Sequence, residues 1–263
     1  MTVSRGRKSI FITGAASGMG RATAVRFARE GWFVGAFDVD VEGLNALKVE
    51  IGEDAGLFGS LDVTDPAAYA AAIDIFSQAT GGTLDLMFNN AGIGVEGLFD
   101  EVPWEELMRV VNVNLLGVMI GIRAATPLLK ATPGALCLTN SSSSSIWGTD
   151  GIAVYSATKH AVRGLTEALS VEFRRFGLRA ADLLPGLIDT PLLGEGMRAL
   201  ATPDGMWRLV PPEEVAEAVL AAYHGDQVHW YVPAELKEFD LMATSAPEMV
   251  RDERARMFGF VPD

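Results

Sequence analysis

Cysteine is almost missing from this chain: Cys137 is the only one in 263 residues, so no internal disulfide can form. It stands in the apolar run Ala135-Leu136-Cys137-Leu138 and reads as a small buried hydrophobe. Positive charge is also scarce, with 21 Lys and Arg against 34 Asp and Glu and a net charge of −13. A surface this acidic repels phosphate backbones and anionic headgroups, which argues against nucleic-acid and membrane partners. Histidine occurs three times, and neither His224 nor His229 has a ligand set beside it, so no metal site is expected. No uninterrupted apolar run reaches the roughly 18 residues that would predict a membrane span. The polar, basic start leads into an apolar stretch broken at once by Gly14, Gly18 and Gly20, so no signal peptide is read and the expected compartment is the cytoplasm.

What is present is ordinary core material, 49% hydrophobic and 21% charged, enough to exclude disorder as the main state. Short apolar runs alternate with helical patterns along the whole chain. Strands are predicted at Ser9–Thr13, Trp32–Phe37, Leu57–Leu61, Leu84–Phe88, Ala135–Leu138, Leu178–Leu184 and Val228–Val232. Helices are predicted at Gly18–Glu30, Val41–Ile51, Pro66–Ala79, Pro103–Lys130, Val154–Phe176 and Pro211–Tyr223, with a helical tail over Glu235–Phe258. Strict alternation means parallel pairing with right-handed crossovers, and strands apolar throughout mean helices on both faces. The expected fold is a single α/β doubly wound, Rossmann-type domain with a parallel seven-stranded sheet. Ligands in such sheets bind outside the carboxyl ends of the strands.

Thr13-Gly14-Ala15-Ala16-Ser17-Gly18-Met19-Gly20 falls between the first strand and the first helix. Glycines let the backbone turn sharply and approach a pyrophosphate, while the helix N-terminus presents free N–H groups and the positive dipole end. Gly14, Ser17, Gly18, Met19 and Gly20 are therefore candidate phosphate-binding positions; a tight turn of small residues is the plainer alternative. Asp38 ends the second strand. A carboxylate there can accept from both adenosine ribose hydroxyls and repels a 2′-phosphate, and neither Val39 nor Asp40 supplies a cation. This favours NAD over NADP, with a cap for the helix beginning at Val41 as the alternative role for Asp38.

Tyr155 and Lys159 lie four apart near the start of a long helix, on one side of it. A phenol with its ordinary pKa of about 10 is a poor acid or base near neutrality; a neighbouring ammonium lowers that value. Ser142 follows the fifth strand, where its hydroxyl can polarise a carbonyl or hold an alcohol oxygen. The run Ser141–Ser145 leaves the register open by a position or two, with Ser143 or Ser144 as second contacts.

Together these motifs resemble the short-chain dehydrogenase/reductase family over roughly Ser9 to Val232: the glycine-rich turn led by Thr13, Asn89-Asn90-Ala91-Gly92, the Ser142-to-Tyr155 spacing, Tyr155-x-x-x-Lys159, and Pro185-Gly186-Leu187-Ile188-Asp189-Thr190. The resemblance implies that Asp62 meets the adenine amino group and the Val63 backbone its ring. It implies that Asn90, Ala91 and Gly92 brace the sheet and lie along the cofactor. Pro185, Gly186, Ile188 and Thr190 would sit at the nicotinamide end, Thr190 on the carboxamide. Asn114, in Asn114-Leu115-Leu116-Gly117, would distort its helix and hold a water linking Lys159 to solvent, with Asn112 the runner-up. The implied reaction is hydride transfer between a secondary alcohol or carbonyl carbon and the nicotinamide, Tyr155 exchanging the proton, Lys159 tuning it, Ser142 orienting the oxygen, and no metal.

The chain departs from the family where a Gly-Gly segment often follows the last strand; here an acidic, Met-containing tail follows, so homodimer and homotetramer both stay open. Residues 187–210 read as a substrate lid carrying Leu192, Leu193, Met197, Leu200, Met206, Trp207 and Leu209. Val95, Leu98 and Trp147 are expected in the same cleft, which suits a bulky apolar alcohol or ketone. Arg198 and Arg208 are the lid's only cations. The alternatives are a non-catalytic NAD(H)-binding sensor or scaffold of the same fold, or another α/β cofactor enzyme such as a methyltransferase.

Overall fold

Successive side chains of a strand point to opposite faces, and here both faces are apolar. The computed structural model describes residues 6–257 and 259–260. β1 (Ser9–Thr13) puts Ile10 and Ile12 on one side of the sheet and Phe11 on the other. β2 (Phe33–Asp38), β3 (Gly56–Ser60), β4 (Leu86–Asn89), β5 (Leu136–Asn140), β6 (Arg179–Pro185) and β7 (His229–Val232) complete a seven-stranded sheet in the order β3-β2-β1-β4-β5-β6-β7. Every pairing is parallel. The strand order reverses direction between β1 and β4, and the carboxyl ends of those two strands diverge into the crevice that such sheets use for ligands.

Three helices cover one face: α1 (Gly18–Arg29), α2 (Val41–Ile51) and α8 (Pro212–His224), burying Ala24, Phe27, Leu44, Leu47, Val215 and Val219. The other face takes α3 (Pro66–Thr80), then α4 (Trp104–Val111) and α5 (Val118–Lys130), and α6 (Ala153–Glu172), around Phe11, Tyr69, Phe76, Ile122 and Val162. Cys137 is buried in this second layer, and burial pushes its thiol up to about 12, an inert small hydrophobe.

The predicted elements are present, with ends shifted by a few residues. Leu84 belongs before β4 because its N–H bonds the Thr132 hydroxyl at 2.8 Å instead of a neighbouring strand. The predicted helix 103–130 is continuous but widens into a π-helical stretch over Asn112–Gly117. The whole 27-residue helix Trp104–Lys130 is long and apolar enough, by length and composition, to cross a bilayer, where the count of uninterrupted apolar residues predicted no span. Scattered polar residues such as Asn112 and Arg123 break the run without lowering the average much. In the fold, Leu107, Val110, Val118, Ile122 and Ala125 of this helix are buried.

The tail is two helices, α9 (Leu236–Ser245) and α10 (Pro247–Met257). Pro247 disfavours helix at Ala246, which separates them. The predicted end at Phe258 lies outside the described residues. A third apolar cluster joins Leu236, Phe239 and Ala243 of α9 and Val250 of α10 to Ile146 and Leu184, and a short helix, α7 (Glu195–Ala199), lies in the segment opposite.

Candidate active site

The glycine-rich turn is laced to the loop after β4. Thr13 Oγ1 accepts the N–H groups of Asn90 and Ala91, both at 3.1 Å, and Asn90 Nδ2 donates to the carbonyls of Thr13 and Gly14 at 3.0 and 3.1 Å. Gly14 adopts φ +67° and a Cβ there would lie 2.9 Å from Ala91 Cα; a Cβ on Gly20 would lie 2.0 Å from the Gly14 carbonyl oxygen. Only glycine permits this approach. Ser17 precedes α1 without a side-chain cap, so the first-turn N–H groups of α1 are not closed off from within.

Asp38 stands at the end of β2 beside this turn. Its carboxylate accepts the Ala16 N–H at 2.9 Å and the Asp40 N–H at 3.0 Å. The cap of α2 is Asp40, whose Oδ1 accepts from Gly43 N–H at 3.0 Å, so the capping alternative for Asp38 is ruled out. A cleft of about 240 Å³ is lined by Gly14, Ser17, Gly18, Met19, Asp38, Asp62, Val63, Asn90, Ala91 and Gly92. Asp62 also shapes its own loop, accepting from the Thr64 N–H at 2.9 Å and hydroxyl at 2.7 Å. A second cleft, of about 600 Å³, shares Met19, Asn90, Gly92, Thr190 and Leu192 with the first and contains Ser142, Tyr155, Lys159, Pro185, Gly186 and Ile188. The candidate residues therefore lie along one continuous groove above the strand ends, apart from Gly20 and Asn114, which sit behind it.

The five serines alternate in role. Ser141 bonds the Lys159 carbonyl and the Ser145 hydroxyl, each at 3.0 Å, and Ser145 donates to the Ser142 carbonyl at 2.7 Å, so these two brace the loop. Ser142 and Ser144 line the cleft with hydroxyls 2.7 Å apart, and Ser144 N–H donates to Ser142 Oγ at 3.1 Å. Burial raises the Tyr155 phenol above its ordinary value, and a side-chain hydrogen bond with Ser142 opposes this. The expected lowering by Lys159 is not met: Lys159 Nζ sits 5.4 Å from the Tyr155 ring centre and donates instead to the Asn140 carbonyl at 2.7 Å. Lys159 is itself only 4% exposed, and burial brings its ammonium down to about 8.

Asn114, fully buried in the π-helical stretch, spends its whole amide on one backbone unit: Oδ1 accepts the Ile93 N–H at 2.9 Å and Nδ2 donates to the Ile93 carbonyl at 2.8 Å. It thus pins the strand of chain that continues from Gly92. Asn112, the runner-up, has no such bond. Leu98 is a correction: it is exposed and does not line the cleft, whereas Val95 and Trp147 do. Arg198 and Arg208 are engaged by Asp189 at 2.7 Å and Glu214 at 2.6 Å. Several wall residues escaped the sequence reading. Asn140 donates to Asn90 Oδ1 at 3.1 Å while its own Oδ1, buried in the groove, has no partner among the described residues. Phe239 and Met242 of α9 face the same cleft.

Residues 8–199 match the family model described as short chain dehydrogenase. The chain belongs to the short-chain dehydrogenase/reductase family. It is 36% identical to levodione reductase of Leifsonia aquatica over 196 residues, 73% of each protein. It is 35% identical to cyclohexanol dehydrogenase of an Acinetobacter strain over 216 residues, 81% of this chain and 86% of that one. A short-chain dehydrogenase from Burkholderia phymatum, solved with NAD, superposes with a TM-score of 0.82 at 25% identity, covering 92% of this chain and 95% of that one. An alcohol dehydrogenase from Thermococcus sibiricus, solved with 5-hydroxy-NADP, gives 0.75 at 28% identity over 86% and 94%. The chain is accordingly an oxidoreductase of CH–OH groups that uses a nicotinamide cofactor. The residues present fit such a group: an open helix N-terminus, a glycine turn without room for a Cβ, and a buried acceptor on Asn140 facing the groove.

Proposed function

We propose that the chain transfers a hydride between NAD(H) and a secondary alcohol or ketone whose carbon skeleton is apolar and ring-sized. The observation that carries this reading is the convergence of Ser142, Tyr155 and Lys159 on one wall of a cleft whose other walls are mostly apolar. Asp38 supports NAD over NADP, since its carboxylate meets the ribose end of the groove and no cation stands next to it.

When bound, the nicotinamide supplies or takes up the hydride. The rest is done by side chains. Ser142 Oγ holds the substrate oxygen and keeps the Tyr155 hydroxyl turned toward it. Tyr155 Oη gives its proton to that oxygen in reduction and takes it back in oxidation. Lys159 holds ribose hydroxyls beside the nicotinamide end of the groove. Asn114 keeps the Gly92–Ile93 backbone beside Lys159 in place. Met19, Met197, Met206, Met242 and Met257 line the cleft, an adaptable surface that fits rings of several sizes. The names of the two relatives, one a cyclohexanol dehydrogenase, agree with such a substrate.

The deciding experiment follows reduced-nicotinamide absorbance with NAD or NADP and secondary alcohols from cyclohexanol to a four-ring alcohol. Turnover with NAD that disappears in Tyr155→Phe, while NADH still binds, is expected. Turnover surviving in Tyr155→Phe moves the proton donor elsewhere. NADH binding without turnover on any alcohol or ketone would favour the sensor reading.

A further inference from the structure

The cleft has a wall that the sequence motifs do not account for. Its far side is built by the chain's own last two helices: Phe239 and Met242 from α9, and Val250, Glu253, Arg254 and Met257 from α10. The two helices are held very differently. α9 is fastened to the body of the domain. Asp240 receives two bonds from Arg163 of α6, at 3.2 and 2.7 Å, and a third from the Tyr231 hydroxyl of β7 at 2.6 Å. Arg163 also donates to the Ser145 carbonyl at 3.3 Å, so this wall is tied to the serine loop itself. Leu236, Phe239 and Ala243 add buried apolar contact.

α10 has far less. Val250 is its one buried side chain, and Arg254 reaches back to Asp150, in the loop before α6, with Nε at 2.8 Å and a terminal nitrogen at 2.7 Å from the same carboxylate oxygen. That ion pair ties the tail to the loop that leads into α6, the helix of Tyr155. Both partners are about three-quarters buried, 22% and 25% exposed, so it is less screened than a surface pair.

We propose that α10, closed onto the cleft by the Asp150–Arg254 pair, sets the upper size of the substrate, with Val250, Arg254 and Met257 as specificity-determining residues. The pair shapes the apolar volume that the ring of the substrate occupies, remote from the reacting carbon. A small cyclic alcohol packs against the closed tail, whereas a fused-ring alcohol must displace it. This rests on the cleft being the substrate site.

The test compares kcat/KM for cyclohexanol and for a four-ring secondary alcohol, at saturating NAD, in wild type, Arg254→Ala and the charge swap Asp150→Arg with Arg254→Asp. Arg254→Ala is expected to shift the ratio at least fivefold toward the large alcohol, mainly through KM, with the NADH dissociation constant unchanged. The swap is expected to return the ratio toward wild type. An unchanged ratio in Arg254→Ala overturns the proposal, as does an equal loss on both alcohols. If the wild type turns over neither alcohol, amide hydrogen exchange of residues 247–257 and binding of Nile red carry the decision. Faster exchange and altered dye affinity in Arg254→Ala, both reversed in the swap, support the tail as the adjustable wall and locate the failure in the reaction reading. Exchange and dye binding equal to wild type overturn it.

Discussion

A carboxylate at the end of β2 is worth most to function if it is not needed by the fold. Asp38 braces the turn through the N–H groups of Ala16 and Asp40, but Asp40 caps the helix that follows, so Asp38→Ala strands two backbone N–H groups and leaves α2 capped. Its removal is expected to weaken NADH binding about tenfold and to narrow the gap to NADPH, measured by fluorescence titration of both. An unchanged preference would assign the gap to another group. The serine run makes a second residue-level contrast. Ser142 and Ser144 share a hydrogen bond, yet Ser142 is the one whose hydroxyl opposes the rise in the Tyr155 phenol's pKa. Ser142→Ala is therefore expected to lower kcat by two orders of magnitude or more, and Ser144→Ala by less than tenfold, with NADH binding retained in both. The opposite ranking would shift the oxygen-holding role to Ser144. Spacing alone left that register open, because five identical side chains carry no pattern; hydrogen-bond partners distinguish Ser141 and Ser145, which brace the loop, from Ser142 and Ser144, whose hydroxyls bond each other at the cleft.

At the scale of elements, what could be read from sequence was what repeats. Alternating apolar runs and 3.6-residue periodicity located the strands and the covering helices, and the strand-end motifs fell on the sheet's ligand-binding side. Features that depend on a third partner could not be read. The local pattern Val111-Asn112-Val113-Asn114 does not mark a π-helical widening, and only the family resemblance implied a distorted helix at Asn114; the widening is stabilised from outside, by an Asn114 amide that matches both backbone groups of Ile93. Asn114→Leu keeps the volume and strands a carbonyl and an N–H. The expected loss is about 3 kcal/mol in urea unfolding, with kcat falling more than the affinity for NADH. A variant as stable as wild type would mean water replaces the amide there. The tail gives the same lesson. The sequence marked it as helical, but not that Phe239 and Met242 would become a wall of the cleft.

Across the whole molecule, Lys159 is the one buried Lys or Arg among the described residues of an acidic chain. With a net charge of −13, raising the pH above neutrality adds negative charge and self-repulsion, which should erode stability. Lys159 works against this. Burial lowers its pKa from 10.5 to about 8. Below about 8 the ammonium is charged in both states and the folded protein bears the full desolvation cost. Between about 8 and 10.5 the folded protein has released a proton that the unfolded chain still binds, so unfolding becomes less favourable as pH rises. The difference is at most about 3 kcal/mol. The unliganded protein is therefore expected to gain stability, relative to Lys159→Met, as the pH is raised from 8 to 10. The measurement is urea unfolding of both proteins at several pH values, taken as their difference so that the general charge repulsion cancels. If the difference is flat, the ammonium is better solvated than its burial implies. Saturating NADH should alter the slope if ribose hydroxyls take over from the Asn140 carbonyl as partners of Lys159 Nζ.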